Sequence, residues 1–264
     1  MTGTALYDRI GRDYNATRRA DPSIVAAIGR EIGLRPGMRV LDAACGTGNY
    51  TVALAAAGGA MVGLDISHVM LAEARKQPGA GWVAGREEAL PFADASFDAV
   101  TCVNAVHHFA DADAAFCEFR RVLRPGGHVA MFTNTAEEVL AFWVARYFPG
   151  PVRRSAATCL PEARFANLAA LSGLRLVARV PWLQPRDPVD LFLYCGKHRP
   201  ELYLDPAVRA GISTFASQAS ADDVSNGVAR LAADIASGAI GDVIAAASRR
   251  PSDYSIFVYA RSAA

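Results

Sequence analysis

Short apolar runs alternate with amphipathic segments along the first half of the chain. The runs predict β-strands at Met38–Asp42, Met61–Leu64, Trp82–Ala84, Phe97–Cys102 and His128–Thr133. Apolar residues at helical spacing predict helices at Tyr50–Ala57, Ser67–Lys76 and Asp111–Leu123. Phe97–Cys102 is almost entirely apolar, which is typical of a parallel strand buried on both faces. Strands that alternate with helices predict an α/β fold.

The second half of the chain has longer and more aromatic segments. Arg124–Gly127 contains Pro and two glycines and is expected to end the helix before His128. Alternating residues predict two late strands, at Leu174–Val180 and Tyr254–Arg261. Helices are predicted at Ala136–Phe148, Pro161–Leu171, Val189–Tyr194, Pro206–Phe215 and Val224–Ile235.

Composition and charge narrow the classes of function. The 264 residues are 52% hydrophobic and 20% charged, which is ordinary for a globular protein. A net charge of +1 gives no broad basic surface, so a nucleic-acid partner is not expected. Five cysteines without a Cys-x-x-Cys pair argue against a disulfide framework or a metal site. Because no apolar run reaches ~18 residues and no signal-peptide pattern begins the chain, we expect a cytoplasmic location without membrane contact.

The segment Arg39–Thr51 has the pattern of a strand, a tight turn and a helix. Ala44, Gly46 and Gly48 alternate with other residues, and small residues let the backbone turn sharply and approach a ligand. The first N–H groups of the next helix face the same place. The dinucleotide fingerprint requires a third glycine where this chain has Thr51, and a phosphate-binding P-loop requires a lysine that this segment lacks.

Polar residues follow several of the predicted strands. Asp65 ends the second strand, where an acidic side chain suits the hydroxyl pair of a ribose. Asn104–His108 follows a later strand, and the carboxyl ends of parallel strands open on one crevice. The neighbours His107 and His108 diverge on a turn and have no carboxylate at ligand spacing, so no metal site is predicted there. The pattern predicts a nucleoside-containing cofactor.

Several motifs occur in the order and spacing of one known family. Asp42-x-Ala44-x-Gly46-x-Gly48 resembles the first motif of class I S-adenosylmethionine (SAM) methyltransferases, with alanine replacing the first glycine. Further similar segments are Leu90-Pro91-Phe92, Phe97-Asp98, His107-His108-Phe109 and the string RVLRPGGHVAMF, so that the resemblance covers Arg39–Thr133. It implies a Rossmann-like, doubly wound, seven-stranded sheet that is mostly parallel, with an antiparallel last strand and helical lid insertions.

The resemblance also implies an organisation in six segments. These are an N-terminal helical flap (1–35), a SAM-binding core (36–134), a lid insertion (135–160), a core helix and strand (161–181), a second helical lid insertion (182–250) and the last core strand (251–264). Both insertions are expected to lie over the crevice, although helices that only stabilise the fold or a dimer would give the same pattern. A monomer and a homodimer are both compatible with the sequence.

The resemblance implies SAM as the cofactor and S-adenosylhomocysteine as its product. The residues expected to contact it are Tyr14, Arg19, Asp42, Ala43, Ala44, Cys45, Gly46, Gly48, Asn49, Asp65, Ile66, Met70, Arg86, Glu87 and Asn104. The family usually has an aspartate at the position of Arg86, where it accepts from the adenine amino group, and arginine has no acceptor. Glu87 or a backbone carbonyl is expected to replace that contact, or the adenine sits differently.

The implied reaction is in-line transfer of a methyl group to a small-molecule acceptor. Alignment and exclusion of water would supply most of the rate, and a general base is needed only for a protonated nucleophile. The candidates for that base are His107, His108, Tyr147 and Tyr194. Two alternatives stay open: a SAM-binding enzyme of cyclase or lyase type, and an NAD(P)-dependent oxidoreductase.

Overall fold

A seven-stranded sheet forms the centre of the computed structural model, which describes residues 17–247 and 251–263. Its strands are β1 (Arg39–Ala43), β2 (Ala60–Asp65), β3 (Ala80–Ala84), β4 (Phe97–Val103), β5 (Leu123–Thr133), β6 (Arg175–Trp182) and β7 (Tyr254–Ala260). They pair in the order β3-β2-β1-β4-β5-β7-β6. Strands β1 to β5 pair in parallel, and β7 is antiparallel to both β5 and β6. The predicted doubly wound, mostly parallel sheet is confirmed.

Helices cover both faces of this sheet. They are α1 (Pro22–Glu31), α2 (Asn49–Ala56), α3 (His68–Ala74), α4 (Ala112–Val122), α5 (Ala136–Leu140), α6 (Pro149–Ala156), α7 (Glu162–Ser172), α8 (Pro206–Ala210), α9 (Ser213–Ala216), α10 (Ala221–Ser237) and α11 (Ile240–Ala247). Short 3-10 helices lie at Val106–His108, Trp143–Arg146 and Pro200–Leu204. Neighbouring residues of a strand enter different cores: Val40 packs with α1 and α2, and Leu41 packs with α4 and α7. We call these the first core and the second core.

Much of both predicted lid insertions is packed into the first core. Phe142 stacks on Tyr194 with ring centroids 4.0 Å apart, and Phe148 meets Phe215 edge-on at 4.9 Å. All four rings are buried and belong to the same cluster as Phe132 of β5. The aromatic residues of these segments therefore stabilise the fold by removing a large apolar area from water.

Several predicted elements differ from the observed ones. Ala136–Phe148 is divided into α5 and a 3-10 helix, because Phe142 between them has an extended backbone with φ −74° and ψ 134°. Val189–Tyr194 forms bends and turns, since its apolar side chains reach the core without helical periodicity. Arg124–Gly127 lies within a strand, because β5 already begins at Leu123, which pairs with β4.

The other predicted elements are present with small shifts. Pro206–Phe215 forms two short helices, α8 and α9, interrupted near Gly211. The remaining boundaries agree within about three residues, which is the usual uncertainty of element ends. Across residues 17–247 and 251–263, no helix combines the length and the apolar character needed to cross a membrane.

Candidate active site

A cavity of about 350 Å³ lies at the carboxyl ends of β1, β2, β3 and β4. We call it the cofactor-sized cavity. Many of the residues predicted to bind a cofactor line it, namely Ala44, Cys45, Gly46, Asn49, Asp65, Ile66, Met70, Arg86, Glu87 and Asn104. A single crevice thus brings together residues from four strand ends, as expected for an open parallel sheet, and its volume is within the range of small-molecule sites.

Asp42 was predicted to contact the cofactor, but it lies beneath the turn. Its carboxylate accepts hydrogen bonds from Thr51 Oγ1 at 2.5 Å and from Thr101 Oγ1 at 3.0 Å. Burial raises the pKa of Asp42 to about 6, although both hydrogen bonds act in the opposite direction. Asp42 is outside the cavity lining, and its hydrogen bonds join β1, α2 and β4 beneath the turn.

Other residues predicted to contact the cofactor also lie outside the cavity lining, for different reasons. Ala43 is buried within β1. Gly48 caps α2 with φ +80°, and a Cβ there would lie 2.2 Å from the Trp82 ring, so this glycine faces the protein interior. Arg19 is exposed, and its neighbour Arg18 is the arginine that lines the cavity. Tyr14 lies outside the described residues.

The turn after β1 has a left-handed backbone at three alternate residues. The φ angle is +56° at Ala44, +57° at Gly46 and +80° at Gly48. Glycine adopts this region without strain, whereas the Cβ of Ala44 is brought close to a backbone carbonyl. A Cβ on Gly46 would meet no atom within 4 Å, so bare backbone faces the cavity at this residue.

Asp65 places a carboxylate in the cavity wall beside this turn. Its Oδ2 accepts a hydrogen bond from the Gly46 N–H at 2.8 Å, and its Oδ1 accepts one from the Ser67 N–H at 2.8 Å. Ser67 in turn caps α3 by accepting from the Met70 N–H. Backbone groups of the turn and of the α3 start therefore fix the orientation of Asp65, and a carboxylate has about four acceptor positions in total.

Arg86 and Glu87 follow β3 and differ strongly in their surroundings. The side chain of Arg86 is half exposed, and its Nε lies 3.3 Å from a carboxylate oxygen of Glu88. Glu87 is buried, and burial raises its pKa to about 7. Near neutral pH this carboxyl group therefore exists partly in a protonated form, which can donate as well as accept a hydrogen bond.

A polar network that the sequence did not predict closes one side of the cavity. Arg18 forms an ion pair with Asp190, and its Nη2 lies 3.4 Å from Asp190 Oδ2. Tyr50 Oη donates to the same oxygen at 3.0 Å. Burial raises the pKa of the Asp190 carboxyl, and the Arg18 charge and both hydrogen bonds counteract that effect. Asp190 belongs to the insertion between β6 and β7, so this insertion contributes a wall of the site.

The two adjacent histidines line different cavities. His108 lines the cofactor-sized cavity, and burial lowers its pKa to about 4. His107 lines a second cavity of about 30 Å³, which we call the inner pocket. Burial also lowers the pKa of His107 well below its usual range. Both imidazoles are therefore neutral near pH 7.

Two tyrosines considered as bases lie outside both cavities. Tyr147 Oη donates to Asp234 Oδ2 at 2.6 Å, and Tyr194 Oη donates to the Glu138 carbonyl. The pKa of Tyr147 is raised to about 12, mainly by burial, with Asp234 adding to the effect. Tyr147, which the sequence predicts as a catalytic residue, therefore lies outside both cavities, and its hydroxyl attaches α10 to the first core.

Comparisons with known proteins agree with this geometry. A family model described as "Methyltransferase domain" matches residues 41–131. A malonyl-[acyl-carrier protein] O-methyltransferase of Erwinia pyrifoliae is 36% identical over 190 residues, covering 67% of this chain and 70% of that protein. A demethylmenaquinone methyltransferase of Beutenbergia cavernae is 39% identical over 132 residues, covering 48% of this chain. The chain spans only 55% of the length of this second relative.

A solved structure matches over almost the whole chain. It is the crystal structure of a protein from Anabaena variabilis described as a methyltransferase of an antibiotic biosynthesis pathway. The sequences are 33% identical, the TM-score is 0.83, and the match covers 92% of this chain and 98% of the other. The relatives point to the same family as the glycine turn, the acidic end of β2 and the sheet order. The chain belongs to the class I SAM-dependent methyltransferases.

Proposed function

We propose that the cofactor-sized cavity binds SAM and that the enzyme transfers its methyl group to a small-molecule acceptor. The observation that carries this proposal is the position of Asp65. It ends β2, faces the cavity and is hydrogen-bonded to the backbone of Gly46 in the glycine turn. A fixed carboxylate beside a bare backbone turn suits a ribose with two hydroxyl donors.

The residues of the cavity fit the parts of such a cofactor. Asp65 would accept from the ribose hydroxyls, and the backbone at Gly46 would lie against the sugar and its substituent. Ile66 and Met70 line the cavity next to Asp65 and offer apolar contact to an adenine. Glu87 is the buried polar side chain available to the adenine edge, and its protonated form pairs with an acceptor nitrogen as well as a donor amino group.

The amino-acid end of the cofactor has a separate region of the cavity. Arg18 and Asn104 line it and have donors for a carboxylate. Asn104 has φ +53°, a left-handed conformation that asparagine tolerates better than most residues. These two side chains, rather than the exposed Arg19, are the contacts that we propose at this end.

Bound SAM would supply an activated methyl group on a positively charged sulfur. The protein has to hold this group in line with the acceptor and keep water away, which strengthens local electrostatics. Asp190 of the second insertion, Tyr50 of α2 and Arg18 of the N-terminal segment are joined across one side of the cavity. We propose that this network is the part of the predicted lid that closes over the cofactor.

Ligand-dependent thermal unfolding tests the proposal. SAM and S-adenosylhomocysteine should raise the midpoint, by about 2.7 kcal/mol of stability at a hundredfold excess over Kd, whereas NAD and NADP should not. Asp65→Ala should abolish most of the shift. Asp187→Ala is the matched control, because the Asp187 side chain is 93% exposed and lies away from the cavity lining.

Two outcomes would contradict the proposal. A shift with NAD or NADP alone would favour an oxidoreductase. Binding of SAM without release of S-adenosylhomocysteine, in the presence of an acceptor that is consumed, would favour cyclase or lyase chemistry. If Asp65→Ala fails to fold, Asp65→Asn keeps one acceptor oxygen and should give a reduced shift.

A further inference from the structure

The inner pocket contains two buried polar atoms whose hydrogen-bonding capacity is unused. His107 Nδ1 is one and Tyr254 Oη is the other, and neither has a partner among the residues that the structure describes. An unsatisfied buried polar atom is destabilising, by an amount comparable to a lost hydrogen bond. Both residues line the same small pocket, so their unpartnered atoms are candidates to bind a polar group of a ligand.

Four other side chains of this pocket are hydrogen-bonded in pairs within the protein. Ser155 Oγ and Thr214 Oγ1 are 2.9 Å apart and hydrogen-bonded. Cys159 Sγ contacts Asn134 Oδ1 at 3.7 Å.

The inner pocket adjoins the cofactor-sized cavity. Arg18 and Asn104 line both of them, so these two side chains form the shared wall. The volume of about 30 Å³ corresponds to one water molecule, so the closed pocket accommodates only a group of hydroxyl size. Arg18 is the long side chain in this wall, held there by its ion pair with Asp190, and the two spaces would join where this side chain moves aside.

We propose that the inner pocket receives the reacting group of the acceptor, a neutral phenolic hydroxyl held between His107 Nδ1 and Tyr254 Oη, and that the ring of the acceptor occupies the space that opens when Arg18 moves aside. This inference rests on the proposed methyltransferase function and specifies its substrate class. Arg18 is the side chain that separates the acceptor from the cofactor until both are bound.

A neutral hydroxyl fits the charges around the pocket better than an ion. The charge of Arg18 is already balanced by Asp190 in a pair whose side chains are only 12% and 2% exposed. A carboxylate acceptor would add a further negative charge beside Asp190 and the carboxylate of the bound cofactor, and burying such a charge without a counter-ion is costly. An ammonium group could donate to both His107 and Tyr254, but its positive charge would have no counter-ion in the pocket.

The apolar and aromatic residues beside His107 and Tyr254 favour an aromatic acceptor once the two spaces are joined. Phe192 meets Tyr254 edge-on with ring centroids 4.7 Å apart, and Val139, Leu193 and Ile212 complete that side. Aromatic rings pack well in such edge-to-face arrangements. A phenol is also the more suitable alcohol for His107, because burial makes its imidazole a weak base, and a phenolic proton, with a pKa near 10, is far easier to remove than an aliphatic one.

Methyl transfer to the phenolic oxygen moves one proton and one electron pair. The hydroxyl proton moves to His107 Nδ1 as the phenolic oxygen bonds to the donated methyl carbon, and the electron pair of the carbon–sulfur bond returns to sulfur. His107 touches the reacting group and is therefore assigned as a catalytic residue. Tyr254 orients the oxygen by donating a hydrogen bond to it.

Binding of 4-methylphenol, measured by calorimetry with saturating S-adenosylhomocysteine, tests the proposal without turnover. Toluene, which lacks the hydroxyl, and benzoate, which carries a charge, should bind at least about tenfold more weakly. Tyr254→Phe and His107→Gln should each weaken binding of 4-methylphenol by about tenfold. Tyr259→Phe is the matched control, because Tyr259 is also buried on β7 but donates to the Phe165 carbonyl in the second core.

The thermal midpoints of the same variants provide a second readout. Tyr254→Phe removes an unpartnered hydroxyl and should leave the unliganded midpoint equal or higher, whereas Tyr259→Phe loses a hydrogen bond and should lower it. Equal affinity for 4-methylphenol and toluene, or unchanged affinity in both pocket variants, would overturn the proposal. If SAM also fails to raise the midpoint, the proposed function fails; if SAM binds and the phenol result is negative, only the acceptor assignment fails.

Discussion

His107 and His108 are neighbours in sequence, and their rings are 3.9 Å apart between centroids, yet each ring lines a different cavity. The 3-10 helix Val106–His108 produces this division, because consecutive side chains on a tight turn point in different directions. One dipeptide after β4 therefore forms part of the cofactor-sized cavity and of the inner pocket. Its two imidazoles are expected to respond to different ligands.

Substitution of the two glycines of the turn should separate ligand binding from folding. A Cβ on Gly46 would meet open space within the cavity, whereas a Cβ on Gly48 would lie 2.2 Å from Trp82. Gly46→Ala should therefore weaken SAM binding by tenfold or more with a modest loss of stability, since φ at this position is positive. Gly48→Ala should lower the unfolding free energy by about 3 kcal/mol.

Calorimetric titration with SAM and urea unfolding check these two variants. The assignment of Gly46 to the ligand is wrong if its variant binds SAM as tightly as the parent. The packing account of Gly48 is wrong if its variant unfolds at the parent's urea midpoint.

Ala44→Gly should stabilise the protein. Ala44 has φ +56°, where an alanine is strained by about 1–2 kcal/mol, and the greater freedom of glycine in the unfolded chain offsets about 0.5–1 kcal/mol of that gain. We expect the unfolding free energy to rise by about 0.5–1 kcal/mol in urea. Ala56→Gly is the control, and it should change stability in the opposite direction. Ala56 is an exposed residue of α2, where glycine should lower the unfolding free energy by about 1 kcal/mol. A loss of stability in Ala44→Gly would contradict the strain.

Glu87→Gln should alter the pH dependence of stability. The pKa of Glu87 is raised from 4.5 to about 7 in the folded protein, so the folded state binds more protons at this site between those values. Stability contributed by Glu87 is therefore fully present below pH 4.5 and is lost as the pH rises through about 7. Relative to the parent, Glu87→Gln should become more stable from pH 5 to pH 8 by up to the order of 3 kcal/mol.

Urea unfolding at several pH values measures this difference. Glu201→Gln is the control, because the Glu201 side chain is 53% exposed. Parallel stability curves for Glu87→Gln and the parent would show that Glu87 titrates at its ordinary pKa.

Asp190→Ala should destabilise the closed side of the cavity. It leaves Arg18 without its counter-ion in a largely buried position and removes the acceptor of Tyr50. Breaking such a buried pair costs about 3–5 kcal/mol. Glu73→Ala removes the partner of Lys76 in an exposed pair and should cost less than about 1 kcal/mol. Equal losses in the two variants by urea unfolding would contradict a structural role for the Arg18–Asp190 pair.

The sequence predicted the parts of the site that lie close together in the chain. Gly46 and Asp65 are 19 residues apart and belong to one strand–helix–strand unit, whose pattern determines its geometry. Arg18 and Asp190 are 172 residues apart, and neither has a sequence signal that indicates the other. The sequence predicts Arg19 as a cofactor contact, whereas Arg18 lines the cavity, because the direction of a side chain near an irregular segment depends on tertiary contacts.

The composition of the aromatic segments is compatible with two different roles. Tyr147 and Phe142 have the composition expected of a lid over an apolar ligand, but the same composition suits a hydrophobic core. Periodicity does not distinguish these cases, since both require one apolar face. The sequence also does not predict that His107 Nδ1 and Tyr254 Oη lack hydrogen-bond partners, because this depends on how the side chains pack in the folded structure.

Strand β7 is last in chain order but lies between β5 and β6 in the sheet. Within residues 17–247 and 251–263, strand β6 pairs only with β7, and Tyr254, the first residue of β7, lines the inner pocket. During synthesis, the glycine turn and Asp65 can therefore assemble long before β6 is fixed or the pocket is complete. A nascent chain would complete the glycine turn early, whereas the Asp190 wall of the cofactor-sized cavity and the inner pocket would be completed only near the end of synthesis.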